Sequence, residues 1–168
     1  MTRISEPDIK TELRKLLRTN RLGQSIYVFD ELDSTQDFAN ALPIVESVHG
    51  TIVIAKKQKM GKGRIGKSWI SPEGGLWMSI IFRPEFNMNS IIFTQFIGAI
   101  AIAEAIKEVA NIRCSLKWPN DVLINEKKVC GILVDVNLES NNKVIVMGIG
   151  LNTNIEPSLV NNKLTQDF

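Results

Sequence analysis

Between Arg113 and Leu151 the chain reads RCSLKWPNDVLINEKKVCGILVDVNLESNNKVIVMGIGL. Four apolar runs follow one another there: Arg113 to Trp118, Val122 to Ile124, Val129 to Asn137 and Lys143 to Leu151. The residues between them are few and polar. Pro119 stops the first run, because it cannot donate to a strand ladder. Asn125-Glu126-Lys127-Lys128 and Glu139 to Asn142 read as hairpin turns. Consecutive strands on such short turns pair antiparallel, whereas a parallel partner needs a crossover of a dozen residues or more. The stretch therefore predicts an α+β fold, with a mixed, largely antiparallel sheet packed against helices.

Upstream, Ser5-Glu6-Pro7-Asp8 combines a Ser cap, a proline in the first turn and an acid three residues past the cap. That predicts a helix, whose apolar stripe is Ile9, Leu13, Leu16 and Leu17, up to about Arg18. Residues 1–25 are expected to be a helical lead-in, and residues 26–168 the main domain. Ile26 to Leu32, Thr51 to Ala55 and Leu76 to Phe82 read as strands. Asp33-Ser34-Thr35 caps a second helix through Phe38, Ala41 and Leu42, broken at Pro43. Ser90 caps a long apolar segment, Ile91 to Ala110. It carries Gln95, Glu104, Lys107 and Glu108, charges too costly in lipid, so it is expected to be a buried core helix. The tail after Asn152 is polar and irregular.

The 168 residues carry 44% hydrophobic and 23% charged side chains, which excludes disorder as the dominant state. A formal charge of +2 gives no bulk attraction to nucleic acid or to a membrane surface, so any cationic site must come from local clustering. Cys114 and Cys130 are too few for a disulfide framework, and no zinc-ligand spacing occurs. They read as small core hydrophobes. The start, MTRISEPDIKTELRKLL, lacks the apolar core of a secretory signal, so a cytoplasmic location is expected. His49, with no partner signal, leaves little material for a Ser-His or Cys-His nucleophile.

Positive charge does cluster once. Lys56, Lys57, Lys59, Lys62, Arg64 and Lys67 fall within twelve residues that contain no acid, interleaved with Gly61, Gly63 and Gly66. Glycines let a backbone approach an anion while the cations supply charge. The alternative is a solvated basic loop. Gly61-x-Gly63-x-x-Gly66 matches the dinucleotide fingerprint, and Gly61 to Ser68 matches the P-loop pattern. Both need a helix to start at the loop's end, and here Trp69-Ile70-Ser71-Pro72 leads to a strand instead. With three glycines and mutually repelling cations, the loop is expected to be open to trypsin between Lys56 and Lys67 and shielded by an anionic ligand.

A second cluster is Lys117-Trp118-Pro119-Asn120-Asp121. Lys117, between Leu116 and Trp118, is expected to be partly buried and so to need an anion, either a ligand or Asp121 across the turn. Gly131 and the Gly148-Ile149-Gly150 run thin two neighbouring strands, which predicts a groove across the sheet.

Taken together, these blocks resemble the catalytic domain of the biotin protein ligases (biotin–[acetyl-CoA-carboxylase] ligases) over roughly residues 26–154. Four carry the resemblance in order. They are Asp33-Ser34-Thr35-Gln36; Gln58-x-x-Gly61-Lys62-Gly63-Arg64-x-Gly66-Lys67-x-Trp69-x-Ser71-Pro72; Lys117 to Asp121; and Lys127-Lys128-x-x-Gly131-Ile132-Leu133 with Gly148 to Asn152. The resemblance implies the biotin–lipoyl ligase catalytic fold, which is like that of class II aminoacyl-tRNA synthetases. It implies an ATP- and Mg²⁺-dependent ligase that makes biotinyl-5′-AMP and passes biotin to a lysine of a biotin carboxyl carrier domain, working as a homodimer without nucleic acid or membrane. By that resemblance Ser34, Thr35, Gln36, Gln58 and Gly131 hold biotin. Lys62, Gly63, Arg64, Trp69, Lys128 and Asn152 hold the adenylate, Lys117 and Arg64 are catalytic, and Asp121 meets the metal through Mg-ATP. Gln36, Lys62, Cys130 and Asp135 replace the family's usual Asn, Arg, Ala and Glu. The chain ends at Phe168 without the C-terminal β-barrel of many members and starts without a DNA-binding domain, so no repressor function is expected. The alternatives are a lipoyl or octanoyl ligase, a transferase of that group, which would use Cys130 or Cys114 near Lys117 as nucleophile, and a fragment that only binds.

Overall fold

The computed structural model describes residues 6–84, 93–139 and 142–156. Its elements run α1 (Glu6–Leu16), β1 (Ile26–Leu32), α2 (Thr35–Ala41), β2 (Ile52–Gln58), β3 (Leu76–Phe82), α3 (Thr94–Ala110), β4 (Ser115–Lys117), β5 (Asp121–Ile124), β6 (Lys127–Glu139) and β7 (Asn142–Leu151). A single 3₁₀ turn, Arg64–Gly66, sits in the basic loop. The expected caps Ser5 and Ser90 lie outside the described residues, as does the tail beyond residue 156.

The seven strands form one sheet in the order β1-β2-β3-β7-β6-β5-β4. The four strands of the Arg113–Leu151 stretch are successive neighbours along one half of it, each antiparallel to the next. β3 closes on β7 antiparallel, and only β1 and β2 run parallel, joined through α2. The sheet is therefore mixed and largely antiparallel, as expected. β1 and β3 keep their expected bounds; β2 runs three residues further, to Gln58, and β6 two further at each end.

Two helices cover opposite faces, because side chains alternate along each strand. Cys130, Ile132, Met147 and Ile149 pack with Ala99 and Ile102 of α3. Val53, Ile81 and Val146 pack with Ala39 of α2 on the other face. Gly98 lets α3 approach closely: a Cβ there would sit 2.8 Å from Met147 Sδ. α3 is a core helix, as expected, but it is buried along one stripe only. Gly98, Ala99 and Ile102 are buried, whereas Ile97, Ile100 and Val109 are exposed. One sheet face can cover only one stripe of a helix. No helix among the described residues is long and apolar enough to cross a membrane.

α2 is short, and its start is fixed locally. Ser34 is extended (φ −156°) and its Oγ accepts the Asp37 N–H at 3.2 Å. Trp77 is fully buried beneath the Pro72 segment, its Nε1–H donating to the Pro72 carbonyl at 2.8 Å. That bond ties the end of the basic loop to the sheet.

Candidate active site

A cavity of about 470 Å³ opens on the α2 face of the sheet. Its floor is Gly131, Leu133, Gly148 and Gly150, one wall is the start of α2, and the basic loop folds over it. Ser34, Thr35, Gln36, Gln58, Lys62, Gly63, Arg64, Trp69, Asp121, Lys128 and Gly131 all line it. Lys117 and Asn152 do not line it, and both side chains are exposed. The expected partial burial of Lys117 is thus wrong. β4 is an edge strand, exposed at all three residues, so flanking apolar side chains did not enclose the lysine.

The polar end is wired. Gln58 Oε1 accepts from the Thr35 backbone N–H at 2.8 Å and from Thr35 Oγ1–H at 3.0 Å. Gln58 Nε2 donates to Ser71 Oγ at 2.8 Å, and Ser71 Oγ–H donates to the Trp69 carbonyl at 3.0 Å. Ser79 Oγ lies 3.0 Å from both Thr35 Oγ1 and Gln36 Oε1. Gln36 Nε2 donates to the Val146 carbonyl at 3.0 Å. Two donors are left to face the cavity: the Ser34 hydroxyl proton, and the second amide hydrogen of Gln58.

The charged end differs from the expectation of a bare cationic loop. Lys56 pairs with Asp30, Lys57 and Lys59 with Glu31 at 2.5 and 2.8 Å, and Lys62 with Asp37. The acids come from β1 and α2, distant in sequence and adjacent through the β1–β2 pair, so the count within the loop missed them. Lys57 and Lys59 hold the Glu31 carboxyl down to about 2. The loop is a pinned hairpin, with Trp69 N–H on the Gly61 carbonyl and Gly63 N–H on the Lys67 carbonyl, both at 2.7 Å. Arg64 Nη1 donates to Asn120 Oδ1 at 2.8 Å, and Asn120 Nδ2 donates to the Ile132 carbonyl at 2.9 Å. Asn120, 7% exposed, thus bolts the guanidinium to β6. Between Arg64 and Gly66, Ile65 is 94% exposed with φ 55°, a left-handed conformation that a β-branched residue seldom adopts.

Lys56 and Lys57 belong to β2, so the trypsin expectation narrows. Cleavage of the free protein is expected first after Arg64 and Lys67, flanking the exposed tip, and the bonds after Lys56 and Lys57 should survive. N-terminal sequencing of the first fragments checks this.

The groove predicted from the glycines exists and holds the Trp69 indole. Gly131 and Gly150 are register partners on β6 and β7. A Cβ on Gly131 would lie 3.1 Å from Trp69 Cζ3, and one on Gly150 2.6 Å from Trp69 Nε1. Lys128 Nζ sits 5.0 Å from the centre of the same ring. It also approaches Asp121 Oδ1 at 2.8 Å, as a charge contact without hydrogen-bond alignment. Asp121 therefore faces Lys128 and not Lys117. Gly150→Ala is expected to drive Trp69 off the groove and to destabilise the fold by about 1–3 kcal/mol, the usual cost of overpacking. Thermal unfolding with Trp69→Ala as background checks it, since the penalty should vanish there.

Asn120, Ser71 and Ser79 are site residues that sequence reasoning did not single out. Asn120 and Ser71 stood inside the quoted blocks; Ser79 carried no signal beyond being a polar residue within an apolar strand.

Residues 28–152 match the model of the biotin/lipoate A/B protein ligase family. The bifunctional ligase/repressor BirA of Bacillus subtilis is 39% identical over 151 residues, covering 89% of this chain and 46% of that protein. Among solved structures, the biotin protein ligase from Aquifex aeolicus in complex with biotin and ATP aligns with TM-score 0.69 and 35% identity, covering 79% of this chain and 54% of that one. The Leishmania major biotin protein ligase in complex with biotinyl-5-AMP aligns with TM-score 0.66 and 27% identity, covering 76% and 57%. The chain spans about half the length of these relatives. A match across nearly the whole sheet, with the site residues set around one cavity of that sheet, makes this chain a member of the biotin/lipoate A/B protein ligase family.

Proposed function

We propose that residues 26–168 form the catalytic unit of a biotin protein ligase. It would activate biotin with ATP to biotinyl-5′-AMP and transfer biotin to a lysine of a biotin carboxyl carrier domain. The observation that carries the reading is one cavity lined both by a neutral hydrogen-bonding set (Ser34, Thr35, Gln58) and by a cationic set (Lys62, Arg64, Lys67, Lys128). Biotin suits both: it has a ureido ring at one end and a carboxylate at the other.

The ring's carbonyl accepts the Ser34 hydroxyl or the spare Gln58 amide hydrogen, and a ring N–H donates to Thr35 Oγ1. Gln36 and the Gly131 floor shape the space around it. The carboxylate oxygen attacks the α-phosphorus of ATP and pyrophosphate leaves. Both reactants are anionic, so the barrier contains charge repulsion, and fixed cations lower it without any enzyme nucleophile. Arg64 and Lys62 address the phosphate beside the Gly63 backbone, whose N–H is already held by the Lys67 carbonyl, and Lys117 reaches toward it from β4. Trp69 and Lys128 flank the adenine, and Asn152 borders it. In the second step the acceptor lysine amine attacks the acyl carbon, and AMP leaves with the C–O electron pair.

Mg²⁺ fits as a nucleotide-borne ion. Asp121 is the one acid among the described lining residues, and Mg²⁺ commonly takes one carboxylate plus substrate phosphates. Among the described residues no cluster of three metal-ligating acids, His or Cys occurs. The ion would offset phosphate charge. Free Cys114 and Cys130 fit the reducing cytoplasm in which we place the reaction. Following the resemblance, we take a homodimer as the working form, to be read by light scattering.

A transferase with a cysteine nucleophile is disfavoured. Cys130 is fully buried on the α3 face, away from the cavity, and burial pushes its thiol up to about 12. Burial raises the Cys114 thiol as well. Native Cys130 is accordingly expected to resist iodoacetamide at pH 8 and to react only after unfolding, which peptide mass mapping reads.

The deciding experiment is mass spectrometry of a biotin carrier domain incubated with this protein, ATP, Mg²⁺ and biotin. One biotinyl group per carrier is expected. Transfer of octanoate but not biotin would establish the other branch of the family, and no pyrophosphate release with biotin would leave a binding module.

A further inference from the structure

Ser79 sits in the middle of β3, fully buried, among strand neighbours that are all apolar. Its hydroxyl is 3.0 Å from Thr35 Oγ1 and 3.0 Å from Gln36 Oε1. Both neighbouring amides have fixed orientations. The Thr35 backbone N–H points at Gln58 Oε1, and Gln36 Nε2 donates to the Val146 carbonyl. The atoms facing the two hydroxyls are therefore both acceptors.

Two hydroxyl protons are thus shared among Gln58 Oε1, Gln36 Oε1 and the hydroxyl oxygens themselves. In one arrangement Thr35 donates to Gln58 and Ser79 to Thr35. In the other Thr35 donates to Ser79 and Ser79 to Gln36. Either way the Thr35 proton stays inside the protein, and only a Thr35 lone pair faces the cavity. Turning that proton outward strips a partner from acceptors shut off from water, which is unfavourable. The network makes Thr35 an acceptor toward any ligand.

We propose that Ser79 is a positioning residue that, with Gln36 and Gln58, holds the Thr35 hydroxyl as an acceptor, so that the site selects a ligand with a ring N–H there. The inference rests on the biotin reading above and adds to it the residue that enforces the donor requirement. Gln36 serves this by its length: its Oε1 occupies the space above Gly148, where a Cβ would lie 2.6 Å away.

The test is calorimetry with biotin and with biotin methylated at the ring nitrogens, on the full chain. Wild type should prefer biotin strongly. Ser79→Ala and Ser79→Cys should shrink that preference about five- to tenfold, because a thiol is a weak donor and does not replace the hydroxyl. Thr35→Val should remove the preference, and Thr35→Val with Ser79→Ala should match Thr35→Val alone, since Ser79 acts through Thr35. An unchanged preference in Ser79→Cys, with only the unfolding temperature lowered, would show a packing role and overturn the proposal, as would additive losses in the double variant. If wild type binds neither ligand, the biotin reading itself fails, and the Ser79 assignment falls with it.

Discussion

Arg64→Ala is expected to weaken retention of a non-hydrolysable biotinyl-adenylate by about 2–3 kcal/mol, roughly 30- to 150-fold, while free biotin binding changes less than threefold. The asymmetry follows from where the guanidinium stands. Its Nη1 is held by Asn120, and Asn120 is held by the Ile132 carbonyl, so the remaining N–H donors are aimed before any ligand arrives. They are held from β6 through Asn120, whereas the Thr35–Gln58 network is held between α2 and β2. Asn120→Ala should give the same asymmetry at smaller size, because the charge remains and only its fixation is lost. Calorimetry with both ligands decides; equal losses would place Arg64 outside the phosphate site.

Lys117→Ala should lower kcat/KM for adenylate formation by about 3–4 kcal/mol, comparable to removing one oxyanion donor, with the circular dichroism of the fold intact. The structure changes the grounds for this expectation. Lys117 is not squeezed between apolar neighbours; it projects from the short edge strand β4, opposite Asp121 in the register. Asp121 is engaged by Lys128, and Lys117 has no acidic partner among the described residues. Its ammonium therefore remains available to an anionic ligand. Because the side chain is exposed, truncating it should cost the fold almost nothing, and any large effect belongs to the reaction. Lys117→Arg should recover only part of the rate, since a planar fork does not replace a compact point charge. Pyrophosphate release measures both variants, and activity within a few-fold of wild type for Lys117→Ala would remove it from the mechanism.

Much of the fold was legible in local pattern. The runs from Arg113 to Leu151, broken by short polar turns, predicted antiparallel strands because turn length limits strand direction. Ser34 announced α2 because an N-cap is a property of four consecutive residues. The glycines of β6 and β7 announced a groove because a missing Cβ is a local fact. The absence of a helix after Gly66 separated the basic loop from the P-loop for the same reason.

What the sequence left undecided depended on residues far apart in the chain. The loop's cations looked bare until the β1–β2 pairing brought Asp30, Glu31 and Asp37 beside them. The groove looked empty until the hairpin laid Trp69 in it. Lys117 looked enclosed because its neighbours are apolar, and only its place at a sheet edge shows it exposed. Ser79 gave no sign of a role until 43 and 44 positions of intervening chain returned its hydroxyl to Gln36 and Thr35. Periodicity, caps and turns are set by neighbours in sequence, so sequence alone determined the elements and eleven of the residues that line the cavity. Charge pairing, exposure and proton direction are set by neighbours in space, and those only the folded chain decided.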